Sequence, residues 1–400
     1  MRFLKQAQGI ALCIFFFSIN FEIYDPFDTD NDFSLAKLTA MIYFITVIPQ
    51  LKQFIRIDNL KSILLPLWFF FGLLTIMGLI NANEFYPEFF ETPIFLNILL
   101  FWFIINHVRK DYFILEKAML SFALGSVTLA ILFIADIGVV YIDGRLSMFG
   151  SNANNIGLRI SISSIILFVT VIQNRLNLGS YRYVILLLLP FMLRVIAETG
   201  SRLSTISFIL AFVIGITLYK SKYLWSKILL ITGGILFISF LTLWMLNSEI
   251  LKERLLNTVN SKEVGGRDEI WIEIFPLLKE NPVFGVGITG YRQFATYIYG
   301  ETFSPHNVIL EVLCYTGIIG LSFYLIFLYQ IFKRSYLSYK NNGILLPLLL
   351  ILPVIGLILG GQILDVKFGW IIFAYIICSS AVKIEVNPIK MLKNENFMRN

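Results

Sequence analysis

Residues 62–83 read SILLPLWFFFGLLTIMGLINAN, a run without a single charged side chain. A helix rises about 1.5 Å per residue and a bilayer's hydrocarbon core is about 30 Å thick, so a crossing takes roughly 20 residues. This run is of that length. Similar uncharged runs follow at Ala118 to Ala135, Leu203 to Tyr219, Ile228 to Ser248, Val312 to Phe332 and Asn341 to Leu364. Weaker apolar stretches occupy 8–23, 34–50, 92–108, 156–174, 183–198 and 368–382, which makes about twelve candidate spans. The first reads as a signal-anchor, because no small-residue cleavage pattern follows it and further spans do.

Composition agrees. Of 400 residues, 57% are hydrophobic and only 14% charged, with a mean hydropathy of +0.77. No compact water-facing surface could be built from the remainder, which excludes a dedicated soluble catalytic domain. The expected fold is an all-α integral membrane protein. Residues 1–248 supply transmembrane helices 1 to 9, 249–304 form a large external loop, and 305–400 hold helices 10 to 12 and a cytoplasmic tail. The 38 Phe are lipid-facing and interhelical packing material.

The net charge of +6 is an orientation signal here rather than a nucleic-acid footprint. Loops on the side of both termini collect Lys5, Lys52, Arg56, Lys61, Lys117, Arg175, Arg182, Lys227, Lys333, Arg334 and Lys340. Most acidic residues fall on the other side, including Asp25, Asp28, Asp30 and Asp32. Both termini are therefore expected in the cytoplasm. Cys13, Cys314 and Cys378 lie far apart in apolar stretches and form no C-x-x-C pair, so neither a disulfide nor a metal site is expected. The Asp25 to Asp32 loop lacks the central Gly and terminal Glu of a calcium loop.

One external segment is much longer than the rest, from about Glu249 to Ser304. Gly265-Gly266 breaks the chain and Asp268 can cap a helix. Ile270, Trp271, Ile274, Phe275 and Leu278 recur at helical spacing, which predicts an amphipathic helix lying on the outer membrane surface. Pro276 should kink that helix and Asn281-Pro282 should end it. Gly285, Gly287 and Gly290 then predict a flexible passage to the next span. As text, Gly285 to Gly290 matches G-x-G-x-x-G, but no strand-turn-helix context surrounds it. A bend that lets backbone approach a neighbouring helix or the membrane is the better reading.

Four groups could carry chemistry. His306, one of two histidines, stands in Ser304-Pro305-His306-Asn307 where the loop re-enters the bilayer. Ser304 reads as N-cap and Pro305 as the first helical residue, which would place His306 in the first turn. There it is either a base beside an anion site or a structural polar group. Arginines outside run against the positive-inside bias, so each asks for a local reason. Arg145 precedes Asn152, Asn154 and Asn155. Arg194, Glu198 and Arg202 follow at four-residue intervals around a Gly200-Ser201 turn. An Arg194–Glu198 ion pair leaves Arg202 and Arg145 as candidate phosphate ligands, with Arg267 a third candidate that also reads as a solvated loop charge. His107, beside Arg109 and Lys110, is assigned no role.

His306-Asn307, nine residues, then Gly317-Ile318-Ile319-Gly320 resembles the H-[NSQ]-x9-G-x-x-G pattern of the O-antigen ligase and polymerase superfamily of bacterial envelope glycosyltransferases. The series Gly266-Arg267, Trp271, Glu280-Asn281-Pro282 and Phe284-Gly285-Val286-Gly287 is similar to it too, as are Thr199-Gly200-Ser201-Arg202 and Arg145 with its Asn-rich turn. The family's R-x3-L element departs to Arg202 and Ile206. The resemblance covers about residues 140–330 and implies a GT-C-like inverting, metal-independent glycosyltransferase without cofactor. A glycan carried on undecaprenyl diphosphate would pass to an acceptor hydroxyl, on a lipid A core for a ligase or on another glycan for a polymerase. The setting would be the periplasmic face of the bacterial inner membrane, among membrane lipids and without nucleic acid. His306, Arg202 and Arg145 would be catalytic, and Arg267, Asn307, Asn154 and Trp271 would bind substrate. A flippase or transporter for the same lipid-linked glycan is the rival from another class. It predicts internally related halves and midplane polar groups.

Overall fold

The computed structural model describes residues 2–381 except 28, 30–32, 58–59, 82–92, 109–111, 220–223, 247–249, 251, 253–255, 257–266, 301–303 and 361–362. Helices dominate: α1 (Arg2–Ser18), α2 (Leu35–Val47), α3 (Lys61–Ile80), α4 (Pro93–Val108) and α5 (Tyr112–Ile134) lead into a hairpin of β1 (Val139–Ile142) and β2 (Arg145–Met148). Then come α6 (Ala153–Gln173), a 3-10 stretch (Gly179–Leu188), α7 (Leu189–Thr199), α8 (Arg202–Leu218) and α9 (Leu224–Leu246). The second half holds α10 (Arg267–Glu280), α11 (Gly287–Tyr299), α12 (Val308–Asn342), α13 (Ile351–Gly360) and α14 (Lys367–Ala381).

Among the described residues seven helices are long and apolar enough to cross a membrane: Phe3–Phe21, Leu35–Phe54, Lys61–Ile80, Phe113–Ile134, Ala153–Gln173, Gly179–Thr199 and Val308–Asn342. The other stretches read from the sequence are helical as well, but shorter: Pro93–Val108, Arg202–Leu218, Lys227–Phe237, Leu346–Gly360 and Lys367–Ser380. Of the seven long helices, α6 is the most enclosed, packing on α5, α7 and α8. Lipid tails are as apolar as Leu, so close packing and small polar groups must hold such helices together. Ser163 Oγ accordingly donates to Ser126 Oγ at 2.7 Å, and Ser126 Oγ donates to Asn20 Oδ1. Cys314 and Cys378 are buried, and among the described residues none of the three cysteines is in a disulfide.

The chain is not all helix. Val139-Val140-Tyr141-Ile142 pairs antiparallel with Arg145–Met148, with Ile142 opposite Arg145. Asp143 and Gly144, at φ +51° and +70°, make a two-residue turn with both centres left-handed, the geometry that matches strand twist. Asp-Gly after a β-branched run is the signal for such a hairpin, and the all-α expectation passes over it.

Helix α10 continues through Pro276 and ends at Glu280, just before Asn281-Pro282. One expectation for the external segment needs correction. The glycines that follow are not a flexible passage, because α11 fills residues 287–299 and packs against α3. Gly285 and Gly287 both have positive φ, and a Cβ on Gly287 would strike the backbone of Met77 and Gly78. Gly265-Gly266 and the cytoplasmic tail lie outside the described residues.

Candidate functional site

The hairpin turn delivers Arg145 to the start of β2, where it meets two helix ends. Its Nε donates to the Thr199 carbonyl at 3.1 Å, and its Nη2 donates to Asn154 Oδ1 at 2.7 Å. Thr199 closes α7, and Gly200 at φ +58° turns the chain so that Arg202 opens α8. Arg145 and Arg202 therefore flank one turn. That turn is stiff: Thr199 Oγ1 donates to the Ile196 carbonyl at 2.6 Å, and Ser201 and Ser204 share a 2.8 Å hydroxyl pair. Gly157 on α6 lets the helices close, since a Cβ there would fall 2.7 Å from Ser204 Oγ and 2.9 Å from Thr199 Oγ1. Ile206, where the family pattern has Leu, is half-exposed on α8.

At the other group, Asn307 rather than Ser304 caps the helix. Its Oδ1 accepts from Ile309 N at 3.0 Å and Leu310 N at 3.3 Å, so α12 begins at Val308. Pro305 and His306 thus precede the helix instead of forming its first turn. A side-chain amide acceptor directly before an apolar run is as good a cap as Ser, and Asn307 has the extended backbone a cap needs. His306 adopts a left-handed backbone, φ +51°, and its N–H donates to Ser304 Oγ at 3.2 Å. Trp271 Nε1 donates to the Pro305 carbonyl at 2.9 Å, which ties α10 to the turn that carries the histidine.

The His-Asn-x9-Gly-x-x-Gly motif and the Asn-Pro-Val-Phe-Gly series prove to be one structural unit. Helix α12 breaks at Gly317, φ +59° and ψ −164°, which frees backbone groups in mid-helix. The segment after Asn281 fills the break. Ile318 N donates to the Pro282 carbonyl at 3.0 Å, Ile319 N to Val283 at 3.3 Å, and Val286 N to the Cys314 carbonyl at 2.8 Å. Unpaired backbone at membrane depth is expensive, so a broken helix needs such a partner. The reading of Gly285 to Gly290 as close backbone approach is what the structure shows.

A buried charged row links the elements that carry these groups, and the sequence reading passed over it. Arg159, 1% exposed on α6, pairs with Glu22 Oε2 at 3.4 Å and donates to the Asn20 carbonyl at 3.0 Å and Ser151 Oγ at 3.2 Å. Lys367 Nζ meets Glu22 Oε1 at 2.8 Å. Burial pushes the Glu22 carboxyl up, but Lys367 and then Arg159 outweigh it and hold it below the usual carboxylate range. Burial pushes Asp365 up to about 6, with Arg292 of α11 opposing the rise. Asn97 Nδ2 fixes that loop through the Leu364 and Asp365 carbonyls, both at 3.2 Å. Glu311, 2% exposed in the first turn of α12, lies within electrostatic range of Asp365 and accepts from the Tyr315 hydroxyl at 3.1 Å. The available signal was a charge inside an apolar run, as with Arg159 after Ile156-Gly157-Leu158.

Other expectations divide. Arg267 opens α10 in backbone terms, and its side chain, with that of Asp268, lies outside the described residues. Arg194 forms no ion pair with Glu198 among the described residues. Its guanidinium sits over the Phe133 ring, 5.7 Å from the centroid, because an exposed cation beside an aromatic face gains without ordering a second long side chain. His107 is buried, with Nδ1 3.1 Å from the Tyr43 hydroxyl, a structural contact.

Residues 185–325 match the family model described as O-Antigen ligase. The matched region contains the Thr199 to Arg202 turn, α10, the glycine series, His306 and the broken part of α12. No curated protein matches the chain.

Proposed function

We propose that this chain, whose residues 185–325 match the O-antigen ligase family model, is a membrane glycosyltransferase of the O-antigen ligase/polymerase superfamily that transfers a glycan from undecaprenyl diphosphate to an acceptor hydroxyl. The reading is supported by the hydrogen bond from Arg145 Nε to the Thr199 carbonyl, three residues before Arg202 at the start of α8. A departing diphosphate develops negative charge, and fixed cations aimed at that charge are commonly the largest source of rate. Each charge-assisted contact contributes about 1.5 to 3 kcal/mol.

In this mechanism Arg145 and Arg202 hold the diphosphate, and Asn154 keeps the Arg145 fork in plane. His306 accepts the proton of the attacking hydroxyl, a role worth about 10²- to 10⁴-fold. Trp271 and Asn307 position the histidine turn, and Arg267, the first residue of α10, is a further candidate ligand for the donor. The oxygen of the acceptor bonds to the anomeric carbon as the bond to the diphosphate breaks, so a single displacement inverts that centre. Metal independence follows from the arginines taking the cation's part. All twelve apolar helices would cross the inner membrane, with both termini cytoplasmic and the site facing the periplasm.

The His-Asn-x9-Gly element favours a ligase acting on a lipid A core, with the polymerase as second reading. Purified protein given lipid-linked oligosaccharide and acceptor tests the transfer: His306→Ala should abolish product, and glycan translocation without a new bond would refute the enzyme. Cells lacking a ligase show a bare surface, whereas cells lacking a polymerase show single repeats.

A further inference from the structure

Away from these groups, an apolar groove of about 820 Å3 lies between α6, the 3-10 stretch, α8 and α9. That lies within the roughly 300–1,000 Å3 range of small-ligand clefts. Phe168 and Ile172 of α6, Phe212 and Ile216 of α8, and Leu229 and Phe237 of α9 line it, with Arg182 and Tyr183 also on its wall. We infer that this groove holds an acyl chain of an anionic glycerophospholipid whose phosphate rests on Arg182.

Position separates the groove from the transferase site. Helix α6 has 21 residues, about 30 Å, with Asn154 near its start, while Arg182 follows its far end. Apart from Phe237, just past the middle of α9, every named lining residue belongs to the half of its helix nearest Arg182, so the groove has close to the depth of one leaflet, about 15 Å. An acyl chain matches that depth. A polyprenyl tail, several times longer, would overrun it.

Charge and cover point the same way. Arg182 Nη2 donates to the Tyr183 hydroxyl at 2.8 Å and the guanidinium lies 4.8 Å from that ring's centroid, which orients the fork. Its Nε is buried with no hydrogen-bond partner among the described residues. A buried donor on a cation is costly until an anion takes it, and phosphate fits the fork in a bidentate way. The ten-residue 3-10 stretch fully buries none of its residues, with only Ile185 and Leu188 packed partly against the core, although such runs are usually only three or four residues long. A lipid chain supplies the cover it lacks. Gly233 keeps the wall open, since a Cβ there would meet nothing within 4 Å.

Native mass spectrometry of the full chain in detergent, with phosphatidylglycerol or phosphatidylcholine added, tests the assignment. Wild type should retain one phosphatidylglycerol about fivefold more strongly than phosphatidylcholine. Arg182→Gln should erase that preference, and Gly233→Phe should fill the groove and release both lipids without lowering the melting temperature. Equal retention of the two lipids by wild type would overturn the inference, as would full retention by Gly233→Phe. Displacement of phosphatidylglycerol by a polyprenyl phosphate would reassign the groove to the donor's tail and overturn it too.

Discussion

Arg145 Nε lies 3.1 Å from the carbonyl oxygen of Thr199, so the hairpin between α5 and α6 is latched to the turn between α7 and α8. The latch fixes one guanidinium against the element that carries the other. It also explains why an arginine is needed: one planar fork serves a carbonyl and Asn154 Oδ1 at once.

Arg145→Lys keeps the charge but loses the fork. A single ammonium cannot hold both partners in that geometry, so kcat should drop about 100-fold while the melting point changes little, a loss of about 1 kcal/mol. Transfer assays on purified protein check this. A lysine enzyme with wild-type kcat would remove the planar fork from the mechanism.

His306 combines a strained backbone with the proposed base. At φ +51° a residue with a Cβ sits about 1 kcal/mol or more above glycine. His306→Gly should therefore melt at or above the wild-type temperature while transfer falls 10²- to 10⁴-fold. His306→Asn, which tolerates the left-handed region, should behave likewise. Thermal melts paired with turnover separate the two roles, and a glycine variant that stays active rules out the base.

How much of this was legible follows from which signals are local. Uncharged runs such as 62–83 mark helices because membrane length and hydropathy are written in consecutive residues, and the helical stretches of the structure match them. The Arg145 and Arg202 relationship was readable only as two arginines on one side, since the Thr199 carbonyl that joins them carries no sequence signature. The Asp143-Gly144 turn was local and legible, yet four-residue strands are faint in an apolar chain. Glu22, Arg159 and Lys367 meet from the segment after α1, from α6 and from α14, and nothing in one stretch reports that meeting. The helix break at Gly317 is legible only once residues 282–286 are seen beside it.

Gly317 and Gly343 make a controlled pair, both with positive φ. A Cβ on Gly317 would collide with the Val283 carbonyl and the Phe284 amide, whereas one on Gly343 meets nothing within 4 Å. Gly343→Ala should cost about 1 kcal/mol and express normally. Gly317→Ala adds overpacking to a backbone conformation open almost only to glycine, a loss of about 3 kcal/mol or more, and should fail to yield folded protein. Comparable yields and melting points for the two would mean that the 282–286 segment does not brace the break.

Asp365 and Glu22 should give stability opposite slopes with pH. Asp365 sits at about 6 in the folded chain against an ordinary 3.8. Between pH of about 4 and 6 the unfolded carboxyl gives up its proton while the folded one keeps it, so stability falls as pH rises through that window, by about 3 kcal/mol in all. Glu22 is held below its ordinary 4.5 by Lys367 and Arg159, so its contribution is present above 4.5 and lost as pH falls through its lowered folded value. Asp365→Asn should flatten the melting-temperature profile between pH 4.5 and 6 and raise it at pH 7, leaving the acid limb in place. Glu22→Gln should remove the acid limb and lower stability at pH 7, because Arg159 and Lys367 lose a buried counter-charge. Melting curves in detergent from pH 3.5 to 7.5 distinguish the two, and an Asp365→Asn profile parallel to wild type between pH 4.5 and 6 would show that the carboxyl is not held protonated there.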